Sequence, residues 1–148
     1  MKNLIPFSFL LFFIACAPKS SNDENTLAKI SDPEVMKYAI AGKTLYENHC
    51  GNCHQSNGEG LGNLIPPLKD SDYFKESIHR AVWIMKYGQK GEITVNGKTF
   101  NQEMPASPRL TPLEIAQIST YLLNIWGMEE GKITSSEVEK YLKTKPPF

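Results

Sequence analysis

Cys50-Gly51-Asn52-Cys53-His54 places two thiols and one imidazole within five consecutive residues. C-x-x-C followed directly by His is the spacing that attaches a c-type haem. Each thiol can form a thioether to one vinyl group, and the adjacent imidazole is then held near the iron on one porphyrin face. A bound haem iron makes one-electron transfer the leading chemistry. Two other chemistries use C-x-x-C: thiol–disulfide exchange and zinc binding. Thiol oxidoreductases set the pair at a helix N-terminus, where the dipole lowers the thiol pKa. Here a helical pattern precedes the cysteines and a Gly/Asn-rich loop follows, so the thiols fall at a helix C-terminus. A structural zinc site would want a second ligand pair, and the remaining cysteine is Cys16, which an N-terminal signal claims.

A His-ligated haem iron has one further axial position, and its occupant sets the function class. Left open, it binds small molecules or peroxide; filled by Met, it favours electron transfer and a raised potential. Of the five methionines, Met1 is in the signal, Met36 and Met85 fall in helical patterns, and Met128 follows the last major helix. Met104 lies on an irregular stretch, Asn101-Gln102-Glu103-Met104-Pro105, where Pro105 keeps it out of α conformation. A loop residue can project a thioether onto the haem without breaking a helix, so Met104 is the expected ligand. His79 is the rival, on a helix facing away from the Ile78/Val82 stripe, and His49 reads as a surface residue.

Several elements must position these groups. Asp32-Pro33-Glu34 opens a helix to about Asn48, with a cap, a proline at the first position and an acid in the first turn. Gly42 within it costs about 1 kcal/mol relative to Ala, which suggests close approach of a second helix. Residues 55–70 read as loop, and Asp70, Ser71 or Asp72 caps a short helix through Phe74. Ser77 to Tyr87 carries a helical stripe ended by Gly88. Ile93-Thr94-Val95, Asn96-Gly97, Lys98-Thr99-Phe100 is a hairpin with a type I′ turn, expected as a small decoration. Thr111-Pro112-Leu113-Glu114 is a capping box opening a helix to about Trp126. Residues 134–143 suggest a last helix capped by Ser135 or Ser136.

The sixteen basic and sixteen acidic residues of the 148 balance, which argues against a nucleic-acid partner. Residues 1–15 read as a signal peptide: Lys2 gives the positive start, and the apolar run from Leu4 to Ala15 is too short to span a bilayer. Phe13-Ile14-Ala15-Cys16 resembles the lipobox of bacterial lipoproteins, in which the cysteine becomes the lipid-bearing N-terminus. Cleavage after Ala17 is the alternative, since Ala15-Cys16-Ala17 also has the A-x-A form. Residues 16–31 read as a polar, flexible tether, 32–127 as the folded domain, and 128–148 as an extension with a short helix.

The chain resembles the class I cytochromes c from roughly Ala39 to Gly127. The resemblance runs through Ala41-Gly42-Lys43, Leu45-Tyr46, Cys50-x-x-Cys53-His54, Gly58, Gly60 and Pro66-x-Leu68. It continues through Gly88, Val95-Asn96-Gly97, Met104-Pro105 and Leu113-x-x-x-x-Ile118-x-x-Tyr121-Leu122. It implies an all-α fold: a cytochrome c-like helical domain around one covalent haem c, carrying the small hairpin. It implies that Cys50 and Cys53 hold the vinyl carbons and that His54 and Met104 ligate iron. It further implies that the Pro66 carbonyl accepts from His54 Nδ1, that Leu68 walls the haem, and that Gly42 and Tyr46 cross the last major helix near Ile118 and Tyr121. Trp83 or Tyr87 is a candidate to reach a haem propionate.

The expected function is a one-electron carrier in a respiratory-type chain, not an enzyme. Its redox partners would dock transiently, with Lys43, Lys69, Lys75 and Lys90 as a candidate docking patch. The alternatives are a permanently docked relay subunit of a membrane oxidase or reductase and, from another class, a thiol–disulfide oxidoreductase. The resemblance implies haem attachment outside the cytoplasm, which fits export to the periplasmic side and a lipid anchor at Cys16.

Overall fold

The computed structural model describes residues 26–127 and 131–148. The signal peptide, Cys16, most of the expected tether and Met128 lie outside the described residues. The first helix, α1 (Pro33–His49), starts as its sequence dictates: the Asp32 carboxylate accepts from the backbone N–H groups of Glu34 at 2.7 Å and Val35 at 3.3 Å. The Cys50 N–H then bonds the Tyr46 carbonyl at 2.8 Å, and a four-residue helix, α2 (Gly51–His54), follows at once. The first thiol thus ends one helix, but the second lies inside the next rather than in a loop.

A short helix α3 (Asp72–Lys75), capped by Ser71, leads into α4 (Ile78–Tyr87), capped by Ser77 and closed by Gly88 at φ 80°. Strands β1 (Ile93–Val95) and β2 (Lys98–Phe100) pair antiparallel with Ile93 opposite Phe100. Asn96 and Gly97 both have positive φ, as a type I′ turn requires. The hairpin is more than a decoration. Its register puts Ile93, Val95 and Phe100 on one face, and Val95 and Phe100 are buried. A reciprocal pair of bonds between Asp72 and Asn96, 2.8 and 3.0 Å, latches the turn to α3.

Helix α5 (Pro112–Leu122) begins with the expected capping box of Thr111 and Glu114. It does not continue as α-helix to Trp126: residues Leu123–Gly127 widen into a π-turn. The Asn124 side chain supplies a reason. Its Nδ2 bonds the Thr120 carbonyl at 2.7 Å, occupying the acceptor that the Asn124 backbone N–H would take in an α-helix.

Helices α1 and α5 form the most extensive pair in the fold. A Cβ on Gly42 would stand 2.6 Å from the Gln117 carbonyl carbon and 2.8 Å from Tyr121 Cβ, so only glycine permits this crossing. Tyr46, Tyr121 and Trp126 pack beside it with ring centroids 5.3 to 5.7 Å apart, inside the main core.

Two boundaries differ from expectation. Ile30 is buried against Val35 and Ala39, with Leu27 beside it, so the chain docks on α1 before residue 32 and the expected tether ends earlier. The last helix, α6 (Ser135–Tyr141), is capped by Thr134, not by Ser135 or Ser136. The extension clasps the back of α4 and α5: Ile133 N–H bonds Thr120 Oγ1 at 3.0 Å, and His79 Nε2 bridges the carbonyls of Tyr141 (2.8 Å) and Thr144 (2.7 Å).

The α6 cap makes a measurable contribution. Thr134 holds the Glu137 carboxyl below its usual pKa, through side-chain and then backbone hydrogen bonds. A lowered folded pKa stabilises above the unfolded value of about 4.5 and ceases to do so as pH falls through the folded one. Glu137→Gln is therefore expected to be less stable than the native chain by up to about 0.5 kcal/mol at neutral pH. The difference should close as the pH of denaturant titrations drops below the usual glutamate range. A difference that stays constant with pH would contradict this.

Candidate haem-binding site

Cys50, Cys53 and His54 open onto a single cleft. Tyr46 sets up their local backbone: its hydroxyl donates to the Gln55 carbonyl at 2.5 Å, holding Gln55 at φ 65° directly after His54. His54 is buried, 6% exposed, and its Nδ1 lies 3.0 Å from the Pro66 carbonyl. A carbonyl only accepts, so Nδ1 carries the proton and Nε2 keeps its lone pair. Burial lowers the His54 pKa, against the opposing pull of the Pro66 bond, and so favours that neutral form.

The Pro66 carbonyl is placed by the 55–69 loop. Gly60 N–H bonds the His54 carbonyl at 3.0 Å, and the Gly58 carbonyl accepts from Leu68 at 2.8 Å and Lys69 at 3.0 Å. Gly60 has φ 69°, and a Cβ there would come within 2.7 Å of the Pro66 oxygen. Gly60→Ala should therefore displace the acceptor that orients His54. We expect a loss of roughly 2 kcal/mol in stability together with a shifted midpoint potential in voltammetry. A destabilised protein with an unchanged potential would separate the loop's role in folding from its role at His54.

Met104 lines the same cleft and is half-buried. Its loop is pinned to the end of α4. Gln89 and Met104 exchange both backbone hydrogen bonds at 2.9 Å, Ser107 N–H reaches the Met85 carbonyl at 3.1 Å, and Lys86 Nζ caps the carbonyls of Pro108 and Leu110 at 2.7 and 2.8 Å. Gly88 makes this approach possible, since a Cβ there would meet the Met104 oxygen at 2.6 Å. Leu68 and Met85 line the cleft, whereas Met36 packs beside the Ile30 cluster.

The hairpin forms where the sequence places it, but its role goes further than expected: Ile93, Val95 and Phe100 form part of the cleft wall. Three apolar residues on one face of a two-stranded ribbon were the available signal, because such a face needs a partner. Trp83 and Tyr87, the candidates for a propionate contact, pack against each other with rings tilted at 45° and centroids 4.3 Å apart, and neither lines the cleft. On α4 the cleft takes Ala81, Ile84 and Met85, so residues 83 and 87 fall on a different face. His79 points to the C-terminal extension, and His49 is exposed but lies at the cleft margin.

A predominantly apolar cleft holding two cysteines, a buried imidazole with a free Nε2 lone pair, and a thioether suits a covalent porphyrin. It suits a redox dithiol poorly: burial, and then the neighbouring Cys53, pushes the Cys50 thiol up to about 12, away from a reactive thiolate. The sequence model of the family described as Cytochrome c matches residues 39–126. The chain belongs to the cytochrome c family. It is similar to two proteins named cytochrome c-552, both from Thermus thermophilus. Each is 30% identical over 84 residues, covering 53% of this chain. The match spans 63% and 55% of the relatives' own lengths, so less than two thirds of either. The family is one of electron-transfer proteins, and membership of residues 39–126 implies covalently attached haem c as the cofactor of that domain. The Cys50-x-x-Cys53-His54 motif lies inside the matched span and fits that attachment.

Proposed function

We propose that this cytochrome c is a one-electron carrier of a respiratory-type chain with His54 and Met104 as its axial ligands. The observation that supports the ligand pair is that both side chains line one cleft on backbone anchored by glycine-dependent contacts, Gly60 at Pro66 and Gly88 at Met104. Haem c supplies ferrous–ferric exchange when bound. The chain's part is to present Nε2 of His54 and the sulfur of Met104 from rigid backbone, so that little moves between oxidation states. The apolar walls, including Leu68, Val95 and Phe100, exclude water and disfavour the more highly charged ferric form. Cys50 and Cys53 fix the ring covalently. Donor and acceptor meet the cleft mouth transiently, and the protein works on the periplasmic side, held to the membrane through lipid on Cys16.

The test is expression alongside a competent haem-maturation system, followed by a pyridine haemochrome spectrum, intact mass and voltammetry. One haem c per chain and a reversible one-electron wave are expected. Free thiols at Cys50 and Cys53 after maturation would overturn the reading. Cys16→Ser should move the protein from the membrane to the soluble fraction, and continued membrane association would refute the lipid anchor.

A further inference from the structure

We infer that this carrier exchanges electrons through an apolar, locally charge-neutral face on its 61–67 turn, and that its partner is a redox protein with an uncharged contact face. The inference rests on the electron-carrier reading above. Leu61 and Leu64 are 53% and 51% exposed. They are not loose: Leu61 N–H bonds the Ile65 carbonyl at 3.0 Å, and Leu64 N–H bonds the Leu61 carbonyl at 2.9 Å. The turn is joined to His54 through the Gly60 N–H and runs into Ile65 and Pro67, which line the cleft with the exposed Cys53. Two large apolar side chains are thus held in water beside the mouth where a thioether would surface. The pair is small beside the apolar patches that mark interfaces by area alone, so its place at the mouth and its fixed backbone, not its size, carry the inference.

The surrounding charge selects the partner. The four lysines that the sequence offers as a docking patch are each paired with a carboxylate. Lys43 meets Glu47 at 4.0 Å, Lys69 meets Glu59 at 3.6 Å, Lys75 meets Asp70 at 3.7 Å and Lys90 meets Glu103 at 3.1 Å. Exposed pairs of this kind add little stability, but each cancels a positive charge as felt from a Debye length of about 10 Å. Among the described residues no lysine or arginine lines the cleft, and its one carboxylate, Glu103, is the partner of Lys90. Net charge is also small: zero for the whole sequence, and one negative charge once residues 1–15 with Lys2 are removed. Long-range steering is therefore weak, and association depends on removing apolar surface from water. A strongly charged partner would bury its own charges against leucine without compensation.

Electron self-exchange between ferrous and ferric copies, read from NMR line widths, uses the face without requiring a known partner. Between ~10 and ~500 mM NaCl the native rate should change by less than about threefold. The Leu61→Glu, Leu64→Glu double variant should exchange at least about tenfold more slowly at low salt and recover in part at high salt. Phe148→Glu, an equally exposed apolar residue on the extension, should behave as native. Haem content and unfolding midpoint serve as folding controls. A steep salt dependence in the native protein, or a double variant that exchanges like it, would overturn the inference. So would binding to phosphatidylcholine vesicles that the double variant loses while its self-exchange stays native, because the face would then belong to a lipid surface. Failure of the carrier reading looks different: no haemochrome, or no reversible wave.

Discussion

Met104→Ala is expected to lose the near-infrared absorption band that reports sulfur bonded to ferric iron, and to gain carbon monoxide binding in the ferrous form. The loop around residue 104 is held by its backbone, through the Gln89 bridge and the Lys86 cap on Pro108 and Leu110, so removing the side chain should leave its frame intact. The variant then isolates ligation from folding. Its midpoint potential should fall by on the order of 0.1 V or more, a fraction of the ~0.8 V range that axial ligands span. Met85 is the control: it lines the cleft but is buried in the core of α4, so Met85→Leu should keep the band and shift the potential only slightly. An unchanged spectrum in Met104→Ala would assign the sixth position to another residue.

Gly42→Val should lower the unfolding free energy by about 3 kcal/mol or more in denaturant titrations of the haem-loaded protein. The atoms a Cβ would strike include the carbonyl carbon of Gln117 and Cβ of Tyr121, neither of which can rotate away. Relief requires α1 and α5 to separate, and that would disturb the Tyr46–Tyr121–Trp126 cluster. The sign is informative in the smaller variant too. Helix propensity favours Ala over Gly by about 1 kcal/mol, so a stabilising Gly42→Ala would show that the helices do not cross this closely. Gly131→Ala, with open space around its Cβ, should be close to neutral.

Most helix starts were legible because the chain writes them in capping chemistry. Asp32 and Thr111 each precede the helix that their type demands, Ser71 was among the three caps offered for α3, and Gly42, costly inside a helix, signalled the crossing. The His54–Pro66 contact followed from family resemblance, and the geometry shows the bond. What stayed hidden depends on partners distant in space or settled by side-chain choice. Nothing in the local pattern says that Asn124 will take the Thr120 carbonyl and widen the last turn. Nor does it say that Glu59, Asp70 and Glu103 will each settle beside a lysine, whereas Lys43 and Glu47, four residues apart on α1, were there to be read. The role of the hairpin was misjudged for a related reason: a ribbon that is marginal alone becomes wall once a cleft lies under its apolar face. Ser135 and Ser136 lost the α6 cap to Thr134 because Glu137, three residues on, completes a capping box with the threonine.

Residues 131–148 embrace the domain on its α4–α5 side and contribute nothing to the cleft lining. Attaching the protein to an electrode through this segment would consequently leave the cleft mouth unobstructed, which makes it the natural handle for immobilised voltammetry.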